Sequence, residues 1–436
     1  MHIYIKRNKL INPRSLCLDD FHYNIYQSYL RVMHRFCQYP ELVKKLEKGK
    51  FSPKTKVLAI GKAAWKMASL CTKILSQKNI SYEGFVLTKY GLTYGPIPKI
   101  TVLEAAHPLP DTNSFAHSKT IVNWLKNSSP KDDLIILLSG GTSALFEIPQ
   151  EGISEQNLIE TYKQLLKSGK NIEEINKERA KYSQVKNGKA LNFVQAKKIK
   201  IFAVSDVPEN NPHIIGSAPF TPDIIGIAGK NSWSYKYRNI DIRYNIVADN
   251  HSFCTNLSDE LKSEGFNIVQ DNEFYNCSIN KMVKILTNAL DSSSKQVYTI
   301  GPFLFILGGE ISVKVTGNGL GGRLSHLVLN MINPLSQFIN SALFCFATDG
   351  CDNVPGSGGA WADTYTRREL KDAKISITKA KKEFDSYTAL KAINHILPAP
   401  IMATNVNDVF VLSCGYKIAN PFIDMDKSVN NRFKQR

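Results

Sequence analysis

The stretch DLIILLSGGTSALF (133–146) joins an unbroken apolar run to a turn of two glycines and two hydroxyl residues. Because the run does not alternate between apolar and polar residues, it predicts a strand buried on both faces, which is typical of a parallel sheet covered by helices. Gly140 and Gly141 allow a tight turn or the close approach of a ligand, and Thr142 and Ser143 suit the start of a helix. The stretch therefore indicates an α/β fold.

Similar apolar runs occur before and after this stretch. Helical patterns separate most of them, including 113–126 and 154–167, and an amphipathic helix is predicted from about 19 to 48. Alternation of strands and helices predicts an open, parallel sheet. The runs are KVLAIG (56–61), GFVLTK (84–89), KITVLEAA (99–106) and KIKIFAVSD (198–206).

A second series of strands is predicted after the polar, aromatic segment at 229–239. Because 436 residues exceed what one hydrophobic core usually serves, we expect two domains. The limits are 1–240 for an N-terminal α/β domain, with an extension to about 296 left open, and 298–414 for a C-terminal one. The runs are YNIVADN (244–250), VYTIGPFLFILGG (297–309), ISVKVTG (311–317), SALFCFATDG (341–350) and DVFVLSC (408–414).

The composition is that of a folded globular protein with a strong positive charge. Hydrophobic residues make up 43% and charged residues 21% of the chain, and the formal net charge is +17. The lysines are scattered, and no zinc finger, RNA-recognition signature or arginine-rich arm is present, so we expect no nucleic-acid partner. A positive field favours small anionic ligands instead.

The spacing of the eight cysteines and the lengths of the apolar runs indicate in which cellular compartment the protein is expected. The cysteines lie far apart without a C-x-x-C pair, which predicts reduced thiols. No apolar run is long enough to cross a bilayer, and the first residues lack the apolar core of a signal peptide. We therefore expect a cytoplasmic protein without a membrane partner.

Three predicted strand ends carry polar residues where α/β sheets place functional groups. Lys62 follows the first strand and could hold a phosphate, although a surface lysine is the commoner explanation. Ser139, Gly140, Gly141 and Ser143 could accept carboxylate or phosphate oxygens, or simply form a capped turn. Asp206 ends a further strand and could act as a general base, bind magnesium or cap a turn.

The segment TGNGLGGRLSH (316–326) contains a G-x-G-x-x-G pattern followed by an arginine. A dinucleotide site needs an acidic residue about 20 positions on, whereas Asp349 lies about 32 positions beyond Gly317. Arg323 at a helix start suits the charge of a transferring phosphoryl group. Asp349 and Asp352 have a spacing plausible for a magnesium-nucleotide, and the chain has no Walker A sequence.

The chain resembles the glycerate 2-kinases of the MOFRL family in the order of its short motifs. These motifs are GKAAWKMA (61–68), AAHPLPDTNS (105–114), LLSGGTSALFEIPQEGIS (137–154), VKNGKAL (185–191), VSDVPEN (204–210), GGEISVKVTGNGLGGR (308–323), ATDGCDN (347–353) and TNVNDV (404–409).

The resemblance implies two Rossmann-like α/β domains with an active-site cleft between them. It implies an enzyme of carbohydrate metabolism that transfers the γ-phosphoryl group of ATP, with Mg²⁺, to the 2-hydroxyl of D-glycerate and yields 2-phosphoglycerate. Whether the protein is a monomer or a homodimer stays open.

The resemblance also implies roles for individual residues. Lys62, Asp206 and Arg323 fall on the family's catalytic positions. The substrate or phosphate would be bound by Ser139, Gly140, Gly141, Ser143 and Arg179. The nucleotide would contact Gly317, Gly319, Gly321, Gly322, Asp349, Asn405 and Asn407. The metal would be held by Asp349 and Asp352.

The chain departs from the family pattern at four places, which leaves other functions open. The family's Asn-Gln-Glu is Leu324-Ser325-His326 here, its Ser-Gly-Pro-Thr is SAPF (217–220), its Val-Arg-Lys-His-Leu-Ser is ERAKYS (178–183), and its third turn glycine is Thr142. The alternatives are a kinase for another small hydroxyacid and a non-catalytic nucleotide-binding relative. The glycine loop alone leaves a third alternative, an NAD-dependent hydroxypyruvate reductase.

Overall fold

A computed structural model describes residues 20–168, 172–223, 231–400, 404–416 and 418. The strands of this part of the chain are β1 Lys54–Ile60, β2 Ser81–Lys89, β3 Ile100–Ala105, β4 Asp133–Leu138, β5 Lys198–Val204, β6 Ser232–Tyr237, β7 Ile240–Ala248, β8 Ile268–Ser278, β9 Phe303–Ser312, β10 Ser341–Ala347, β11 Ser357–Asp363, β12 Ile396–Pro398 and β13 Asp408–Cys414.

The α-helices of the same residues lie between these strands. They are α1 Asp20–Phe36, α2 Pro40–Lys48, α3 Ala64–Gln77, α4 Thr112–Lys126, α5 Thr142–Leu145, α6 Glu155–Lys167, α7 Ile172–Lys181, α8 Asn250–Ser263, α9 Ile279–Ile300, α10 Arg323–Leu335, α11 Thr366–Asp372, α12 Ile377–Lys382 and α13 Ser386–Lys391. None of the helices in the described ranges is both long and apolar enough for a membrane span.

The chain divides into two compact units, and both are discontinuous. The N-terminal unit comprises Arg35–Asp249 together with Thr404–Val406. The C-terminal unit comprises Met1–His34, Asn250–Ala403 and Asn407–Arg436, as far as these are described. The sequence predicted contiguous domains at 1–240 and 298–414, which differ from these units because α8 and β8 pack in the C-terminal unit: β8 pairs with β9, and α8 lies against both strands.

The N-terminal unit contains a seven-stranded sheet in the order β3-β2-β1-β4-β5-β7-β6. All neighbours are parallel except β6, which forms an antiparallel edge with β7. The five apolar runs predicted for this sheet are confirmed as β1 to β5. The strand order reverses between β1 and β4, and ligands of open α/β sheets bind at the carboxyl ends of the strands beside such a reversal.

Two predictions for the N-terminal part of the chain are wrong in detail. The run at 244–250 belongs to β7, which pairs with β5 in the first sheet rather than starting a second series. The helix predicted from 19 to 48 is two helices, because Tyr39 has a left-handed backbone (φ 46°) and Pro40 cannot continue the first helix.

The C-terminal unit contains a six-stranded mixed sheet in the order β12-β11-β10-β13-β9-β8. Only β8 and β9 are parallel, and the other neighbouring strands run antiparallel. The α/β class is confirmed in both units. The run predicted as a strand at 297–309 begins inside α9, which ends before Gly301 (φ 77°), and β9 ends at Ser312, so most of 311–317 is irregular.

The glycine loop at 317–322 packs against the unit's own backbone. A Cβ atom on Gly317 would lie 2.5 Å from Cα of Glu383, and one on Gly319 would lie 2.7 Å from Cα of Asp385. Gly321 faces the hydroxyl of Ser386 in the same way. Because the loop needs these glycines for its own packing, the G-x-G-x-x-G pattern does not by itself indicate a nucleotide.

The first turn of α10 is capped by a carboxylate from elsewhere in the chain. The backbone N–H groups of Leu324 and Ser325 donate to Oδ1 and Oδ2 of Asp352 at 2.9 and 2.8 Å. Gly322 N donates to Oγ of Ser325 at 3.0 Å, and Asp352 is only 3% exposed. The N–H groups of Gly322, Leu324 and Ser325 at this helix start therefore have acceptors within the protein.

We expect Asp352→Ala to lower the free energy of unfolding by about 2 kcal/mol, because two buried N–H groups lose a charged acceptor. Chemical denaturation without magnesium measures this loss. The matched control is Asp372→Ala, which removes an exposed aspartate at the end of α11 and should cost less than about 0.5 kcal/mol. Equal stability of the two variants would contradict a capping role.

Candidate active site

The turn from Ser139 to Ser143, named here the glycine turn, is tied to the end of β1. Ser139 N donates to the carbonyl of Ile60 at 3.0 Å, and Lys62 N donates to the carbonyl of Gly140 at 2.9 Å. The hydroxyl of Ser139 accepts a hydrogen bond from Ala63 N at 3.0 Å. The start of α3 and the glycine turn therefore hold a fixed position relative to each other.

The two glycines bring three predicted site residues together. A Cβ atom on Gly140 would collide with the carboxylate of Asp206 and would lie 2.5 Å from Nδ2 of Asn405. A Cβ atom on Gly141 (φ 94°) would lie 3.4 Å from Cγ of Lys62 and 3.3 Å from the ring of His107. The absence of side chains at 140 and 141 thus lets Lys62 and Asp206 approach the same turn from different strand ends.

Asp206 is oriented by a residue from the far end of the sequence. Nδ2 of Asn405 donates to Oδ2 of Asp206 at 2.7 Å. Asn405 lies in the short segment Thr404–Val406, which a hydrogen bond of 2.9 Å between Thr404 and Tyr39 anchors in the N-terminal unit. A neutral amide can fix the carboxylate in place without cancelling its charge. The sequence predicted Asn405 for the nucleotide, and the structure places it beside the predicted base.

Ser143 lies next to two basic side chains. Its hydroxyl is 2.7 Å from Oγ of Ser217, 3.4 Å from Nη1 of Arg179 and 3.4 Å from Nζ of Lys186. Arg179 is 6% exposed, and its guanidinium lies 4.7 Å from the centre of the Tyr162 ring. The predicted pair Ser143 and Arg179 is therefore in contact.

A buried glutamate neutralises one of these two cations. Nζ of Lys186 forms an ion pair of 2.8 Å with Glu147, and both side chains are almost fully buried. Glu147 also accepts hydrogen bonds from the hydroxyls of Tyr162 and Ser183. Burial lowers the pKa of Lys186 and of Arg179, because desolvation disfavours the charged form.

Arg323 is held in the C-terminal unit by a buried carboxylate. Its Nε and Nη2 donate to the two oxygens of Asp408 at 2.6 and 2.9 Å. The side chain of Arg323 stays 32% exposed, whereas that of Asp408 is 1% exposed. This two-point contact uses Nε and Nη2 and leaves the N–H groups of Nη1 for a further acceptor.

The two charges of this pair affect each other. Burial raises the pKa of Asp408 to about 7, although Arg323 acts in the opposite direction. Burial alone would lower the pKa of Arg323, but the interaction with Asp408 outweighs it and raises that pKa. The guanidinium therefore stays charged at all ordinary pH values.

The residues predicted to bind nucleotide and metal have different environments. Asp349 is half-exposed and accepts a hydrogen bond from Cys351 N. Asn407 is 5% exposed, and its carbonyl accepts hydrogen bonds from Thr348. Asp352 caps α10 with both oxygens, so it is poorly placed to bind a metal as well. The described residues contain no cluster of three or more metal-binding side chains.

The residues that replace the family's Asn-Gln-Glu take part in packing. Leu324 is fully buried in the core, and Ser325 receives a hydrogen bond from Ser386 in addition to capping the helix. The ring of His326 stacks on Phe384 with centroids 4.4 Å apart. Ser325 and His326 therefore contact residues around the start of α13, and Leu324 packs in the core of the unit.

Three residues beside the predicted site had no assigned role in the sequence analysis. Lys186 lies within the matched motif VKNGKAL and Asp408 within TNVNDV. The motifs therefore pointed to these segments of the chain but did not indicate what the two side chains contact. His107 lies against Gly141, and only its place in AAHPLPDTNS pointed to it. Their partners come from distant parts of the chain, which spacing alone cannot reveal.

Comparison with known sequences matches both parts of the chain to families. The sequence model of a domain of unknown function (DUF4147) matches residues 30–241, and that of the MOFRL family matches 303–408. The D-glycerate 2-kinase of Thermotoga maritima is 31% identical over 375 residues, which cover 81% of this chain and 89% of that protein. A putative hydroxypyruvate reductase of Agrobacterium vitis is 28% identical over 82% of this chain and 99% of its own length.

Comparison with solved structures gives the same result for the fold. The crystal structure of glycerate kinase from Thermotoga maritima superposes with a TM-score of 0.77 at 28% identity, covering 89% of this chain and 98% of that one. The sequence relatives and the structural likeness extend over both units. The chain is therefore a divergent member of the glycerate 2-kinase (MOFRL) family.

Proposed function

We propose that this protein transfers the γ-phosphoryl group of ATP to the 2-hydroxyl of D-glycerate and so forms 2-phosphoglycerate. The observation that carries the proposal is the approach of Lys62 and Asp206 to the two glycines of the glycine turn. A cation and a carboxylate at the ends of β1 and β5, the parallel strands on either side of β4, suit phosphoryl transfer to an alcohol. The relatives named glycerate 2-kinases support the same activity.

In this proposal Asp206 orients the acceptor hydroxyl and takes its proton. Asn405 holds one carboxylate oxygen, which fixes the direction of the other. Lys62 lies against the adjacent Gly141 and, in this proposal, interacts with the transferring phosphoryl group as a mobile point charge. Phosphoryl transfer asks a protein mainly for positioning and charge stabilisation, and these residues supply both.

Arg323 is the second cation proposed for the transferring group. Asp408 accepts hydrogen bonds from two of its N–H groups. These bonds restrict the rotation of the guanidinium, so Nη1 points in a defined direction. A guanidinium fixed in this way loses little conformational entropy when it contacts a phosphate. Asp408 is therefore a positioning residue for Arg323.

Magnesium would reach this protein with the nucleotide. Mg²⁺ usually keeps several waters and binds substrate phosphates with only one or two carboxylates, so the lack of a larger cluster among the described residues fits it. Asp349, which is half-exposed, is the carboxylate we propose for it. The ion would neutralise phosphate charge during transfer.

A reductase is the less well supported alternative, although one relative is named a putative hydroxypyruvate reductase. The glycine loop that suggested a dinucleotide site uses its glycines for packing against 383–386. No acidic residue lies at the spacing expected for the ribose. Oxidation of NADH with hydroxypyruvate tests this alternative directly.

Lys62→Met should reduce kcat/KM for D-glycerate about 100-fold or more, because the phosphoryl group loses a cation. The melting temperature should stay nearly unchanged, since Lys62 is half-exposed at the start of a helix. A coupled assay of ADP release measures the activity. The control is Lys73→Met on α3, which removes a lysine from the same helix.

ATP binding without ADP release in the unmodified protein would support the alternative of a non-catalytic, nucleotide-binding relative.

Asp408→Asn should lower kcat about tenfold or more while leaving KM for D-glycerate within about twofold, because Arg323 loses its orientation. Since the pKa of Asp408 is raised to about 7, the wild-type rate should fall as the pH drops through 7 and the carboxylate is protonated. The variant should lack this limb of the pH profile. Asp259→Asn, an exposed change of the same kind, is the control.

An unchanged pH profile in Asp408→Asn would contradict the positioning role. A loss of stability alone would move neither the pH dependence of kcat nor the ratio of kcat to KM in this way. The pH profile therefore separates positioning of Arg323 from general support of the fold.

A further inference from the structure

Tyr39 is a buried residue in a backbone conformation that tyrosine rarely adopts. It joins α1 to α2 with φ 46° and ψ 59°, in the left-handed region, and it is only 1% exposed. A bulky residue in this region costs free energy, and the proline that follows it favours an extended backbone instead. Glycine or asparagine would adopt the same backbone at a lower cost. The outlier therefore indicates that the side chain of Tyr39 has a function at this position.

The backbone of Tyr39 is held on both sides. Its N–H group donates to the carbonyl of Phe36 at 2.9 Å, and its carbonyl accepts a hydrogen bond from Val43 N at 3.0 Å. The second of these bonds belongs to the first turn of α2, which packs against α3 and β7 of the N-terminal unit. The phenol of Tyr39 is therefore attached to a fixed point of this unit.

The phenol of Tyr39 contacts the segment 404–406. Its hydroxyl lies 2.9 Å from Oγ1 of Thr404, and either atom can donate the hydrogen bond. Thr404 is 3% exposed, and Val406 is fully buried. Burial raises the pKa of Tyr39 far above its usual value, so the hydroxyl keeps its proton. A hydrogen bond between two buried hydroxyls is costly to leave unmade, so it holds the segment in place.

This contact lies one residue before the amide that binds Asp206. Nδ2 of Asn405 donates to Oδ2 of Asp206 at 2.7 Å. The position of Asn405 depends on where its two buried neighbours, Thr404 and Val406, are held. Because a hydrogen bond weakens steeply with misalignment, a small shift of the segment would release the carboxylate.

We propose that Tyr39 is a positioning residue for Asp206 and that it acts through Thr404 and Asn405. The proposal rests on the proposed function, because that function makes Asp206 the group that orients the acceptor hydroxyl and takes its proton. The left-handed backbone at Tyr39 aims the phenol at Thr404, and the hydrogen bond to Thr404 fixes the amide beside it. The direction of the carboxylate thus depends on a linker between two helices.

Tyr39→Phe removes only the hydroxyl and should lower kcat for D-glycerate about tenfold. KM for D-glycerate and for ATP should stay within about twofold, because the groups that contact the substrates are unchanged. Thr404→Val should have the same effect, whereas Thr404→Ser, which keeps a hydroxyl, should retain most of the activity. The matched control is Tyr26→Phe, because Tyr26 is also buried and donates to the carbonyl of Pro398 in the C-terminal unit. This control should leave kcat unchanged.

A double-mutant cycle shows whether Tyr39 acts through Asn405. In the background of Asn405→Ala, adding Tyr39→Phe should lower kcat by less than about twofold, because the link to Asp206 is already broken. A tenfold loss in both backgrounds would overturn the proposal, since Tyr39 would then act by another route. Equal kcat values in Tyr39→Phe and the unmodified protein would overturn it as well.

A measurement without catalysis separates this proposal from the proposed function. The side-chain amide of Asn405 is identified in the NMR spectrum by its loss in Asn405→Ala. Its protons should exchange with water about tenfold faster in Tyr39→Phe than in the unmodified protein or in Tyr26→Phe. This result would support the positioning of Asp206 even if no D-glycerate were phosphorylated.

Equal exchange rates in Tyr39→Phe and the unmodified protein would overturn the proposal even if the kinase activity were confirmed. If Tyr39→Phe does not fold, Thr404→Val takes its place in the kinetic cycle and in the exchange measurement, with the same expected and contradicting results.

Discussion

The hydrogen bonds that join the ends of β1 and β4 are the constraint on which the candidate site depends. Ser139 and Lys62 exchange backbone hydrogen bonds with Ile60 and Gly140, so the end of one strand fixes the turn after the other. The two strands lie where the strand order of the sheet reverses, and this is where an open α/β sheet exposes its strand ends to a ligand. The fold therefore places Lys62 and Asp206 around two glycines, and Asn405 from the segment 404–406 orients Asp206 there.

The basic side chains of the candidate site differ in the carboxylates that lie beside them. Glu147 forms an ion pair with Lys186 and also acts electrostatically on Arg179, which lies beside the pair. In the C-terminal unit, by contrast, Arg323 has a carboxylate of its own in Asp408. Asp408 thus fixes the direction of the Arg323 guanidinium and takes two of its five N–H groups.

The sequence predicted five of the seven strands of the N-terminal sheet, β1 to β5, because each of these is an apolar run bounded by turn residues. It was less accurate where a residue's role depends on a distant partner. The spacing of Asp352 to Asp349 suggested a metal ligand and gave no sign that Asp352 also caps α10, whose first turn lies about 27 residues before it in the chain. The glycines of 317–322 likewise resemble a nucleotide loop in sequence, and their packing against 383–386 becomes visible only in the fold.

The most direct test of the central claim is the ³¹P NMR spectrum of a reaction of the protein with ATP, magnesium and D-glycerate. The account predicts a new phosphomonoester resonance split into a doublet by the single proton on C2, and its loss in Asp206→Asn. A triplet, which indicates transfer to the 3-hydroxyl, or the absence of any new phosphomonoester would contradict the account.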